Sequence, residues 1–94
     1  MTYRKIDDNQ GEIVQALRQV GASVQSLASV GRGCPDLLVG FRLENFILEV
    51  KDGTKPPSAQ KLTPDEQEWH AQWRGGVVHI VRNVDEALRA IGAT

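Results

Sequence analysis

The sequence predicts an α/β fold, a small mixed β-sheet flanked by helices in the order α-β-β-β-α-β-α. Three observations carry this. Apolar residues recur at helical spacing near the N-terminus, short strand-like runs bounded by Gly and Pro follow, and capping signals open two later helices. With 94 residues the chain is read as one domain, residues 1–94, small enough that self-association would add useful burial.

The first helix is expected after Asp8 or Asn9, either of which can cap free N–H groups. Ile13, Ala16, Leu17 and Val20 form its apolar side, with Gln10 on one flank of that stripe and Glu12 on the other. Gly21 offers a left-handed stop. Residues Ala22 to Leu27 alternate small or apolar with polar side chains and suit a short strand, and Gly31 to Pro35 reads as a turn. Asp36 to Phe41 and Asn45 to Lys51 are two strands separated by Arg42-Leu43-Glu44, hence an antiparallel hairpin. The polar segment Asp52 to Lys61 is expected to be a mobile loop. Thr63-Pro64-Asp65-Glu66 has the form of a capping box, opening a helix that runs to about Trp73 before Gly75-Gly76. Val77 to Val81 is a strand, and Asn83 caps a last helix over Val84 to Ile91, closed by Gly92.

A formal charge of −1 offers no basic excess, which weighs against a high-affinity, non-catalytic DNA binder but not against an enzyme whose site holds carboxylates. The lone Cys34 makes neither an intrachain disulfide nor a cysteine zinc site. No stretch approaches the roughly 20 apolar residues that span a bilayer. The N-terminus lacks the apolar run of a signal peptide, so no membrane association and a cytoplasmic location are expected.

Alternation along the strands gathers the chemistry. Asp36 shares a face with Leu38 and Gly40, and Glu49 and Lys51 share a face with Ile47. In a hairpin the start of the first strand meets the end of the second, so Asp36, Glu49 and Lys51 converge at one end of the sheet. Two carboxylates, the main-chain carbonyl of Val50 and water are the hard oxygen ligands that Mg²⁺ takes. A lysine beside such an ion can orient or deprotonate a water and steady charge on a phosphate. Taken singly, an E-x-K in a hairpin is most often a solvated strand face; the combination with Pro35-Asp36 at hairpin separation points to metal-assisted phosphodiester hydrolysis.

Pro35-Asp36 followed by Glu49-Val50-Lys51 resembles the PD-(D/E)XK nuclease signature. The wider pattern, Gly33-Cys34-Pro35-Asp36-Leu37-Leu38, then Leu48-Glu49-Val50-Lys51, then Leu62-Thr63 leading a helix with Trp69, is similar to the VRR-Nuc group of that superfamily. The resemblance spans nearly the whole chain and implies a restriction-endonuclease-like core. It also implies a Mg²⁺- or Mn²⁺-dependent DNA endonuclease in which Asp36 and Glu49 bind metal and Lys51 assists the attacking water. Stand-alone members of this size, often phage-encoded, resemble Holliday-junction resolvases and act as homodimers on branched DNA, in the host cytoplasm where phage-encoded. Two departures stand out. The superfamily's helix-1 Glu falls at Gln10, with Glu12 as the rival, and a Gln common on the helix after E-x-K is replaced by Glu66, which the capping box accounts for. An inert DNA- or partner-binding module that kept the fold is the alternative reading.

Other residues are assigned less. His70 and His79 have no partner at metal-ligand spacing, and Trp69 and Trp73 read as core or dimer contacts. Arg32, Arg42, Lys55 and Lys61 are candidates for phosphate contacts.

Overall fold

The computed structural model describes residues 6–94. It contains α1 (Gln10–Gln19), β1 (Ser23–Ser26), β2 (Leu37–Phe41), β3 (Glu44–Val50), a 3₁₀ turn (Pro57–Gln60), α2 (Pro64–Gln72), β4 (Val78–Val81) and α3 (Val84–Ala90). The four strands form one sheet in the order β1-β2-β3-β4, with antiparallel β1/β2 and β2/β3 pairs and a parallel β3/β4 pair. The parallel pair needs a crossover, which α2 and its flanking loops supply.

Strand alternation sorts the two sheet faces. Leu37 and Val39 of β2, Leu48 and Val50 of β3 and Val81 of β4 point into the core, where Ile13 and Leu17 of α1 and Ala87 and Ile91 near α3 meet them. Each fully buried Leu, Ile or Val contributes about 1.5–3 kcal/mol of transfer free energy, so this one layer is the main source of stability. The opposite face carries Leu38, Glu49 and, just past β3, Lys51, and it has no comparable apolar cover. Helix α2 has no fully buried residue.

Several local details differ from expectation. The buried stripe of α1 is Gln10, Ile13 and Leu17, while Val20 is largely exposed, so Gln10 lies within the apolar stripe and Glu12 faces solvent. The hairpin turn has two residues, not three: Phe41 pairs with Glu44, and Arg42 and Leu43 take φ of 50° and 68°. Both central residues with positive φ define the type I′ geometry that matches strand twist, here built without the usual Asn-Gly. The segment from Asp52 to Lys61, read as a mobile loop, is internally bonded. Asp52 Oδ1 accepts from Thr54 N–H (2.9 Å) and Thr54 Oγ1 (2.7 Å), Gln60 Nε2 donates to Lys55 C=O (2.7 Å), and the 3₁₀ turn follows Pro56.

Two of the three expected caps are present. Thr63 and Glu66 form the reciprocal capping box of α2, and Asn83 Oδ1 accepts from Glu86 N–H at 2.8 Å at the start of α3. Asn9 stands at the N-cap of α1 but makes no side-chain cap. Its amide is engaged elsewhere, donating to the carbonyls of Arg82 (2.9 Å) and Lys51 (3.2 Å). That bond fastens the start of α1 to the ends of β3 and β4.

Candidate active site

Asp36 is held by main-chain bonds on both sides. Its N–H donates to Leu48 C=O (3.1 Å), and its C=O accepts from Leu27 N–H (2.9 Å). Its carboxylate then reaches the end of β3, where Oδ2 accepts from Val50 N–H at 2.7 Å. The N–H and C=O of one strand residue leave on the same edge, which turns the Val50 carbonyl toward the Asp36 side as well.

The other two groups come from the same strand end. Glu49 is 1% exposed, Asp36 5% and Lys51 7%, an unusual depth for three ionisable side chains in so small a protein. Lys51 Nζ donates to Glu66 Oε1 at 2.9 Å, and that oxygen also accepts from Thr63 N–H at 2.8 Å. Glu66 therefore does more than cap α2. One carboxylate oxygen closes the capping box and positions Lys51, a double use that the capping pattern alone conceals. Glu49 is hydrogen-bonded to both Asp36 and Glu66, and His70 Nε2 stands 3.3 Å from Glu49 Oε1.

Electrostatics follow from this crowding. Burial above all, then the hydrogen bond and negative charge of Asp36 and the proximity of Glu66, push the Glu49 carboxyl up to about 10. Glu49 thus keeps its proton at neutral pH, hydrogen-bonded to Asp36. Burial raises Glu66 as well, but the hydrogen bonds from Lys51 and Thr63 outweigh it and leave it below the ordinary carboxylate range. Burial, helped by the Lys51 charge and opposed by Glu66, lowers the His70 imidazole.

These groups line a cleft of about 900 Å³. Arg32, Lys55 and Lys61 also line it, so three of the four cations expected near the site are there. Arg42 is not. It lies at the far end of the hairpin, its guanidinium 4.8 Å from the Phe41 ring centroid and donating to Gly92 C=O at 3.4 Å. Gln10 is buried but does not line the cleft, and its Oε1 has no hydrogen-bond partner among the described residues.

Besides Glu66, two residues near the site escaped sequence reasoning, one lining the cleft and one touching Glu49 from outside its lining. Asp7, just before α1, lines the cleft. Burial raises its carboxyl, Asp36 and Asp52 add to that, and Lys51 and Lys55 oppose it. No motif marks Asp7, because it meets the others only through the Asn9 bonds that seat the start of α1. His70 was read as a surface or core histidine. Its one available signal is the four-residue spacing from Glu66, which puts both on one side of α2. His79 does stay away from the site and packs near Phe46, with ring centroids 6.2 Å apart. Trp69 and Trp73 stack on each other at 4.7 Å.

Gly33 explains how the loop and helix close together. Its φ is +80°, and a Cβ there would collide with the main-chain carbonyl of Asp65 in the first turn of α2. Only glycine lets the chain before Asp36 approach the helix carrying Glu66 and His70.

The donor set suits a hard divalent cation. Two carboxyl groups buried side by side, Asp36 and Glu49, are a pair whose charge a cation can neutralise. Among the described residues, no group of three or more His, Cys, Asp or Glu side chains is placed to hold a metal ion. A set drawn from Asp36, Glu49 and a main-chain carbonyl leaves positions for water, as Mg²⁺ requires.

Comparison of the sequence with protein-family models gives no match, nor does comparison with curated proteins. Among solved structures, the chain is similar to one described as a VRR_NUC domain. Identity is 26% and the TM-score 0.62, with 88% of this chain and 94% of that one covered. Sheet order, hairpin-borne acids and this likeness agree: the chain has a fold similar to that of the VRR_NUC domain, which supports a nuclease-type domain.

Proposed function

We propose that this domain is a metal-dependent DNA endonuclease that hydrolyses phosphodiesters in branched DNA, such as four-way junctions, and acts as a homodimer. The observation that supports it most is the burial together of Asp36, Glu49 and Lys51 at one end of the sheet, in a cleft edged by Arg32 and Lys61.

In this reading Asp36, Glu49 and the Val50 carbonyl hold Mg²⁺ or Mn²⁺. Bound there, the ion would supply Lewis-acid polarisation of the phosphate and a more acidic water. Asp36 is kept in place by Val50 N–H. Lys51, positioned by Glu66, presents its ammonium to the attacking water and the phosphate oxygens. Gln10 adds a neutral acceptor for an ordered water, which would also satisfy its orphaned Oε1. Arg32 and Lys61 bind flanking phosphates. The exposed Leu38, on the same sheet face as Glu49, offers apolar surface to a second copy. Among the described residues, no helix is long and apolar enough to cross a membrane, in keeping with the proposed cytoplasmic location.

Cleavage of a synthetic four-way junction, a flap and a linear duplex should be measured with Mg²⁺, with Mn²⁺ and with chelator. The junction should be cut fastest, and only with metal. Asp36→Asn, Glu49→Gln and Lys51→Ala should each lower the rate by at least about 100-fold, the scale of losing a main electrostatic or acid–base contribution. Cleavage by all three variants at the wild-type rate would refute the site. Wild-type protein that binds the junction without cutting it would favour the inert module. Sedimentation of the wild type tests the homodimer.

A further inference from the structure

Helix α2 touches the buried acids through two side chains four residues apart, Glu66 and His70, and only the first has a role above. We infer that His70 is a positioning residue for Glu49. Its Nε2–H holds Oε1, so that the carboxylate keeps one orientation and offers its other oxygen to the cation. This rests on the proposed metal site and adds a residue to it.

The argument is one of available donors. Glu49 is 1% exposed and lies beside Asp36, Glu66 and His70. To a Glu49 carboxylate that holds a cation, the neighbouring carboxylates of Asp36 and Glu66 have nothing to donate and only repel. Lys51 Nζ is directed to Glu66 at 2.9 Å, and the described residues show no bond from it to Glu49. The remaining donor within reach is His70 Nε2, 3.3 Å from Oε1 and on a side chain only 14% exposed. With its proton on Nε2 an imidazole donates whether the ring is neutral or charged. Ligating carboxylates are commonly held by such hydrogen bonds, and losing one costs about 10–100-fold in metal affinity.

The anchor for the imidazole is also on hand. Trp69 packs edge-on to His70, with ring centroids 6.2 Å apart at 75°, and Glu66 at the preceding turn is fixed by the capping box. Helix α2 buries no residue fully, so these polar contacts, rather than apolar packing, set its register over the acids.

The test is calorimetric titration of Mn²⁺ into the full chain for wild type, His70→Leu, His70→Gln, His70→Asn, Glu49→Gln and the Glu49→Gln/His70→Leu pair. Thermal melts in chelator check that each variant is folded. Gln places its amide nitrogen about as far out as Nε2, whereas Asn stops near Nδ1. His70→Leu and His70→Asn should weaken Mn²⁺ binding about 10-fold or more, and His70→Gln should recover most of it. In the Glu49→Gln background, His70→Leu should cost nothing further. A merely structural role would move the melts and would not separate Gln from Asn. Wild-type affinity in His70→Leu, or an equal loss with Glu49 already removed, overturns the positioning role alone. No Mn²⁺ binding by the wild type overturns the metal site, and the role of His70 with it.

Discussion

Glu49 carries the strongest electrostatic consequence at the scale of a single residue. Its carboxyl titrates near 10 in the folded chain and near 4.5 when unfolded. A group whose folded pKa is raised contributes stability that is complete below the unfolded value and is lost as pH rises through the folded one. In chelator, the chain should therefore lose stability between pH 7 and 8.5, by at most about 1.4 kcal/mol per pH unit for one proton. His70, shifted downward, acts below about pH 6.5 and does not blur this window. Denaturant midpoints at pH 7, 7.75 and 8.5 should show the slope in wild type and lose it in Glu49→Gln. Saturating Mg²⁺ should remove it from wild type too, because the cation stands where the proton was. A flat profile in metal-free wild type would mean that Glu49 is already ionised. Asp36, Glu49 and Lys51 were legible in the sequence because strand alternation is strict. Asp7 and His70 were not, since each reaches the site from an element whose seating depends on contacts made elsewhere.

At the scale of elements, the approach of the Gly31–Pro35 turn to α2 is the joint that gives the cleft its shape. The sequence marked this turn and this helix separately, yet not that they touch. Gly33 is where they do, with positive φ and no room for a Cβ against the Asp65 carbonyl. Gly33→Ala should cost about 2 kcal/mol or more, combining left-handed strain with main-chain displacement. Gly31→Ala makes the comparison: its φ is +73° but open space surrounds it, so only the strain remains. Chemical denaturation of the two variants separates these contributions. Equal losses would show that close approach at Gly33 contributes nothing. The capping box of α2, the Asn83 cap and the hairpin were readable because their signals are local. The two-residue turn at Arg42-Leu43 was not, because both residues adopt positive φ without the glycine or asparagine that announces it.

For the molecule as a whole, a net charge of −1 concealed how charge is arranged. Arg32 and Lys61 line the cleft beside the acids, Lys55 also forms an ion pair with Asp8 (3.3 Å), and Arg42 sits at the opposite end of the hairpin. The fold class and element order followed from periodicity and caps, whereas the sorting of cations into cleft and periphery needed three-dimensional placement. That sorting has a thermodynamic signature. Each phosphate contact to duplex DNA adds about 0.9 to the steepness of log K against log salt. With metal chelated to prevent cleavage, fluorescence anisotropy on a labelled duplex should give a shallow wild-type slope, on the order of 3, from the cleft cations. Arg32→Ala/Lys61→Ala should reduce its magnitude by about 1.8, and Arg42→Ala should leave it unchanged. Loss of slope in Arg42→Ala, or none in the double variant, would place the DNA path on the hairpin end rather than across the cleft. Because few phosphates are engaged, affinity should remain modest even at low salt, and discrimination among DNA shapes would then rest on where a branch lets the backbone enter a cleft of this depth.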